Sequence, residues 1–236
     1  AAADPSVVGI VVRVASGGGA VVASDKMHRA VQRAARAKPL VVSFGNAAAS
    51  GGYYLAMAAP EILSTPNTLT GSIGIFTGKV DLSGLYALLG ITTHTEKTAP
   101  RADVMADHRP WTDEEQRVAK ERLRAYYDRF VGLFAEGRKL SREDAFARAK
   151  GRVYTGVRAQ ELGLVDRQGT LLDAIEAVRK KAGLEASDPS RIVYRPQVGL
   201  WEGLAILLLD TIGLRDSLPV AAEEPPLIAR LIHALG

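Results

Sequence analysis

The chain contains no cysteine, which excludes disulfides, thiolate catalysis and zinc–thiolate sites. That is compatible with an extracytoplasmic location without establishing one. Histidine is scarce, four in 236 residues, so little material exists for a serine–histidine pair. His28 falls in a helix rich in Arg and Lys, His108 in a polar loop and His233 in the tail; only His94, at the end of an expected strand, is placed to approach a cleft. A strong charge of one sign is also missing. The net +4 comes from Lys and Arg interleaved with Asp and Glu on amphipathic helices, which is the pattern of solvated faces and not of a nucleic-acid surface. No charged-then-apolar leader is visible, an absence that says nothing about targeting in a piece of a longer protein.

What is present suits a folded enzyme domain, since 47% hydrophobic content over this length can bury a substantial core. Residues 7–14 and 40–44 are β-branched or apolar runs without polar alternation, as expected for parallel strands buried on both faces. A helix is expected between them over 24–37. Further on, the pattern predicts a short strand at 61–64, a turn at 65–68 and a glycine-broken strand at 71–76. A helix at 81–89 closed by Gly90 and a strand at 91–95 follow. Thr112 with Glu115 marks a capping box, after which Leu123, Tyr127, Phe130 and Phe134 recur at helical spacing as a core stripe. Ser141 with Asp144 opens another helix, and helices at 157–162 and 171–182 end at Gly163 and Gly183. The sum is an α/β layer architecture with a helical C-terminal side.

The chemistry gathers at Ser50. It follows the apolar run 40–44 and precedes an alanine-rich helical stretch, so its hydroxyl sits at a strand-to-helix turn, where a nucleophile is well placed. The first N–H groups of a helix have no partners inside it and are available to an oxyanion. The alternative is that Ser50 is an N-cap only. A second glycine turn, Ser-Gly-Gly-Gly at 16–19, also follows a strand-like run and leads into a helix. In an α/β sheet such turns collect at one edge, where two can offer N–H donors to the same oxygen. Neither turn has Gly-x-x-x-x-Gly-Lys-Ser/Thr or Gly-x-Gly-x-x-Gly in its context, which argues against a phosphate loop. No cofactor or metal is expected.

The Ser-Gly-Gly-Gly at 16–19, Lys-Pro at 38–39, Ala-Ala-Ser-Gly-Gly-Tyr-Tyr at 48–54 and Leu-Thr-Gly-Ser-Ile-Gly-Ile-Phe at 69–76 resemble, in order and spacing, the signal peptide peptidase A family. Gly-Arg-Val-Tyr-Thr-Gly at 151–156 and Gly-Leu-Val-Asp at 163–166 extend the likeness, which runs from about residue 7 to 183. The resemblance implies a ClpP/crotonase-like fold of repeated ββα units. It implies a Ser/Lys-dyad serine peptidase acting on remnant signal peptides or other unstructured apolar peptides, membrane-associated at the extracytoplasmic (periplasmic) face of a bacterial-type inner membrane, and assembled as a homo-oligomeric ring. Ser50 would be the nucleophile, with the N–H groups of Gly51 and Gly18 holding the oxyanion. Gly18 matches the first glycine of the family's Ser-Pro-Gly-Gly, whose proline is here Gly17. Gly52, Thr70, Gly71 and Ser72 would line the substrate cleft.

One departure matters most. The lysine of single-domain members falls on Ala102, a feature similar to the C-terminal half of double-length members, whose lysine lies in the first half. The chain is therefore expected to hold half a site, with the base supplied by an N-terminal half of the same polypeptide that also carries the membrane anchor; alone it would be inactive. The few residues before the first strand agree with a chain cut from a longer protein. Lys97 and His94 are the local alternatives for a base; Lys79 and Lys38 read as turn and helix-end residues. Two other classes stay open: a scaffold that has lost its base and serves assembly or peptide binding, and a crotonase-type acyl-CoA enzyme.

Residues 1–183 are thus expected to form the peptidase domain and 184–236 an apolar extension. Within the extension, the run at 204–209 is too short for a membrane span of about 20 residues. Subunit packing suits 201–214, because Glu202 and Asp210 stand where an interfacial helix would be basic.

Overall fold

The computed structural model describes residues 1–185 and 187–194. The extension's expected segments and His233 lie outside the described residues. Strand β1 (Ile10–Ser16) leads through the glycine turn into helix α1 (Val21–Ala37), then strand β2 (Leu40–Ala49), the short helix α2 (Gly51–Ala56) and strands β3 (Ile62–Ser64) and β4 (Leu69–Gly71). A long irregular segment bearing only helix α3 (Ser83–Leu88) precedes helices α4 (Asp113–Arg138) and α5 (Arg142–Arg148). Strand β5 (Val153–Thr155), helix α6 (Gly156–Glu161), strand β6 (Arg167–Gln168) and helix α7 (Leu171–Lys181) complete the order. All of these lie in a compact unit, Ala1–Ala186; a second unit is Ser187–Gly236. The expected α/β architecture with helices toward the C-terminal side is the one found.

Strand β2 organises the sheet. Its first half pairs in parallel with β1, Ile10 opposite Leu40 through Val14 opposite Phe44, and with β3, Val42 opposite Ile62. Its last residues, Ala47–Ala49, pair in parallel with β4, and β4 pairs antiparallel with β5. Because strand side chains alternate, one run of residues serves two cores. Leu40, Val42 and Phe44 face Tyr53, Tyr54, Phe130 and Phe134, while Val41 packs with Leu63 and with Ala174 and Val178 of α7. Burial on both faces explains why residues 40–44 show no polar alternation.

The helix starts expected from the Thr112 and Ser141 caps hold, whereas α1 begins at Val21, three residues before its expected start, and α3 at Ser83, two after. Thr112 Oγ1 accepts from the Glu115 N–H, and Glu115 Oε2 accepts in return from the Thr112 N–H, closing the capping box at α4. Phe130 and Phe134 of the expected stripe are buried in the main core. The segment after β4 departs from expectation. The strand anticipated over 71–76 is only the three-residue β4, and 91–95 forms no strand, being exposed throughout. Nothing in this segment has a neighbouring strand edge to pair with, and a strand needs one. Phe76, Val80, Leu88, Leu89 and Met105 are left with most of their surface open, Phe76 at 96%.

Candidate active site

Ser50 joins β2 to α2 with φ 49° and ψ −118°, a conformation rarely held by a residue with a Cβ and kept only where surroundings over-determine it. Its N–H donates to Gly71 O (2.9 Å), and its carbonyl accepts from the Tyr54 N–H (2.8 Å). The hydroxyl caps nothing. Ser50 therefore occupies the N-cap position without doing an N-cap's work, and the reading of it as a cap alone falls. Among the described residues its Oγ has no hydrogen-bond partner.

The glycine turn before α1 lies directly against this serine, as expected from the two-turn reading. A Cβ built on Gly18 would stand 2.7 Å from Ser50 Cβ and 2.8 Å from Gly51 N, and Gly18 has φ 118°. A Cβ on Gly51 would stand 2.4 Å from Ser24 Oγ and 3.1 Å from Gly19 N. Only glycine allows the two turns to approach this closely. The Gly51 amide is the first N–H of α2 and has no hydrogen-bond partner among the described residues.

The neighbouring residues expected to hold the oxyanion or line a cleft are held by the backbone and side chains around Ser50. Gly18 N–H is already engaged, donating to Ser16 Oγ at 3.1 Å; it must leave that hydroxyl before it can serve an oxyanion. The adjacent Gly19 amide makes no hydrogen bond among the described residues, and its nitrogen lies close to Gly51; being the last glycine before the helix was the signal. Thr70 is fully buried, and its hydroxyl donates to Ala48 O (2.7 Å), bracing the end of β2. Gly52 and Gly71 are buried too, Gly52 against Ser16 O and Gly71 as acceptor of the Ser50 N–H. Ser72 is half-buried with φ 50°, its N–H donates to Arg152 O (2.7 Å), and its hydroxyl has no hydrogen-bond partner among the described residues.

No candidate base is bonded to Ser50. Lys97 Nζ pairs with Asp103 (3.1 Å), Lys79 Nζ donates to Ala106 O (2.8 Å), and Lys38 donates to the carbonyls of Ala1 and Asp4. His94 is exposed and bonded to Glu96 (2.6 Å), while His108 meets Thr95. His28 is buried, its Nδ1 3.0 Å from Tyr54 O. Ala102, at the lysine position, is exposed in a turn. Behind it Arg109 bridges Asp103 and Glu115, and its hydrogen bonds hold both carboxyls well below the usual range, Glu115 at about 2.

Below the nucleophile turn lies a polar cluster that the sequence did not disclose. Tyr54 OH donates to Asp25 Oδ1 (3.0 Å), and Arg129 and Arg29 also bond the Asp25 carboxylate. Burial works against that carboxylate, but the hydrogen bonds from Arg129 and Tyr54 outweigh it and keep it below its ordinary value. Tyr54 is pushed up, first by burial and then by the neighbouring carboxylate. Tyr53 OH donates to Leu164 O (2.8 Å) on the other side, and burial raises its phenol strongly. Among the described residues no group of three acidic, His or Cys side chains could hold a metal ion, and no helix is long and apolar enough to cross a membrane.

The model of Peptidase family S49 matches residues 32–185, which include Ser50 and its helix. The protease-named slr0021 of Synechocystis sp. is 35% identical over 217 residues, covering 89% of this chain and 78% of that protein. "Serine protease SPPA, chloroplastic" of Arabidopsis thaliana is 34% identical over 217 residues, covering 91% of this chain but only 32% of its own length. Among solved structures, a mutant ClpP1 from Listeria monocytogenes aligns with a TM-score of 0.46 and 18% identity over 71% of this chain and 77% of that one, a likeness too loose to build on. With the family model spanning most of the chain and a relative of this identity matched over most of its length, the chain belongs to peptidase family S49, the SppA-type peptidases.

Proposed function

We propose that this chain carries the nucleophilic half of a Ser/Lys-dyad endopeptidase. Ser50 Oγ attacks the scissile carbonyl while its proton passes to a neutral lysine amine. The oxyanion is held by the Gly51 amide together with an amide of the Gly18–Gly19 turn. Collapse of the tetrahedral intermediate breaks the C–N bond and the leaving amine takes the proton from the lysine; the neutral lysine then deprotonates water, which attacks the acyl-enzyme, and returns that proton to Ser50 Oγ as the acyl–oxygen bond breaks. The lysine comes from the N-terminal half of the same polypeptide. It must be held in a dry setting, because its ordinary pKa of about 10.4 leaves it charged and useless as a base.

The observation that carries this reading is the Ser50 turn itself: a strained serine whose hydroxyl is spent on nothing, set against one glycine turn, with the Gly51 and Gly19 amides unengaged among the described residues. The exposed apolar side chains of the segment after β4, Phe76, Val80, Leu88 and Leu89, support a second half or further copies packing there and bringing the base, consistent with a homo-oligomer. The small residues around Ser50 favour unstructured peptides with small apolar side chains at the cleavage point, remnant signal peptides among them. Such substrates suit a membrane-associated enzyme at the extracytoplasmic face, anchored through the N-terminal region.

The lack of any base beside Ser50 among the described residues also favours a second reading, a scaffold that binds peptide without cutting it. Fluorophosphonate labelling separates them, run on this chain, on the complete protein and on Ser50→Ala, with hydrolysis of a short apolar peptide ester. Labelling and turnover in the complete protein alone support the proposal. No labelling of either form favours the scaffold, and labelling of this chain by itself points to a base such as Lys97 or His94.

A further inference from the structure

Ser50 is strained, and something must hold it so. Its helix, α2, has only six residues, too few to be stable by itself. The two walls of the oxyanion site belong to different elements: Gly51 begins α2, and the Gly18–Gly19 turn ends where α1 begins. The distance between those amides is therefore set by how α1 docks on α2.

We infer that Tyr54, through its hydroxyl bond to Asp25, is a positioning residue that sets the width of the oxyanion site. This rests on the peptidase reading above. Tyr54 joins the two walls at both ends of its residue. Its backbone N–H donates to Ser50 O (2.8 Å), tying it to the nucleophile's own peptide unit. Its side chain reaches α1, where the hydroxyl donates to Asp25 Oδ1 (3.0 Å). A third tie comes from His28 on α1, whose ring nitrogen Nδ1 lies 3.0 Å from Tyr54 O; a carbonyl only accepts, so Nδ1 carries the proton.

Asp25 is itself immobilised. Arg129 of α4 holds it at 2.6 Å, and Arg29 at 2.8 Å takes the second oxygen. Its side chain is 17% exposed, so the charge-assisted bonds are partly shielded from water and stronger than surface pairs. The Tyr54 ring packs edge-on against His28, centroids 5.5 Å apart, and tilted on Phe130 at 4.8 Å. The brace thus runs from α4 through Asp25 into α1 and from there into the nucleophile helix. Removing one hydroxyl breaks it while leaving the ring and its packing in place.

The test uses the complete protein and compares Tyr54→Phe with Tyr127→Phe, which removes a hydroxyl bonded to the Lys150 N–H (3.0 Å) away from α2. Asp25→Asn is a second disruption, keeping size and one acceptor but losing the charge that holds Arg129. In Tyr54→Phe, kcat and affinity for a peptide boronate both fall about tenfold with KM unchanged, as for an interaction made only in the transition state; Asp25→Asn shows the same split, and Tyr127→Phe does not. A purely structural tyrosine would lower the melting temperature alone and leave the boronate bound as before, which overturns the inference. Hydrogen exchange at the Tyr54 amide gives a readout independent of turnover. Faster exchange in Tyr54→Phe than in Tyr127→Phe supports the brace even in a protein with no peptidase activity, where the peptidase reading alone would fail; equal exchange overturns it.

Discussion

Gly18→Ala probes the oxyanion site with a single methyl group. The built Cβ falls 2.7 Å from Ser50 Cβ and 2.8 Å from Gly51 N, closer than such atoms are found, and both neighbours are fixed by the core beneath them. The backbone adds its own cost, since φ 118° is a glycine conformation and forcing alanine into it takes about 1–3 kcal/mol. The exposed turn yields before the buried helix does, so the methyl pushes 17–20 away from Ser50 and removes one donor. Losing an oxyanion donor costs about 100- to 1,000-fold in kcat. In the complete protein we expect fluorophosphonate labelling of Ser50 and ester turnover to fall by about 100-fold or more, with the melting temperature lowered only by the few degrees that about 1–3 kcal/mol of backbone strain implies, because the turn carries no core side chain. Gly17→Ala is the matched control, as a Cβ there meets nothing within 4 Å; it should stay within about threefold of wild type. A folded Gly18→Ala that labels at the wild-type rate, or a Gly17→Ala that loses as much, refutes the reasoning.

Phe134→Ala empties a fully buried position on α4 against Tyr53 and should cost about 3–5 kcal/mol in denaturant unfolding. Thr112→Ala removes the acceptor that caps α4; a loss of about 1 kcal/mol is expected, and no loss would mean the cap is redundant. The Asp103–Arg109–Glu115 cluster sets a pH response. Both carboxyls are held below their ordinary values, so their stabilising effect is complete above the unfolded Glu value of 4.5 and is lost as pH falls toward about 2. The protection factors of the amides at 103–115, corrected for the intrinsic pH dependence of exchange, should fall as pH drops through that window in wild type and be lowered already at neutral pH in Arg109→Met. Phe76→Asp, at a side chain 96% exposed in this chain, should leave the melting temperature of this chain unchanged and weaken assembly of the complete protein in light scattering.

Much of the structure was legible in the chain's order of residues because the deciding interactions are local. Unbroken apolar runs predicted β1 and β2, the Thr112 and Ser141 caps placed the starts of α4 and α5 to the residue, and Gly90, Gly163 and Gly183 closed helices in left-handed backbone. The position of Ser50 at a strand-to-helix turn was legible for the same reason. The strand expected at 91–95 was not a local matter. Its composition suits a strand, but a strand exists only beside a partner edge, and none lies beside it among the described residues.

What the sequence by itself determined is the set of elements, the strand-to-helix turn that carries Ser50, and the absence of a lysine at position 102. Those follow from side-chain periodicity, capping and identity, which a linear chain carries in full. Only the tertiary structure decided which groups meet. Thr70 turned inward to brace β2, the Gly19 amide nitrogen came to lie close to Gly51, and Asp25, Tyr54 and Arg129 converged from three helices. Hydrogen bonds between residues about 20 to 100 positions apart depend on how packed layers meet, and sequence spacing holds no measure of that distance.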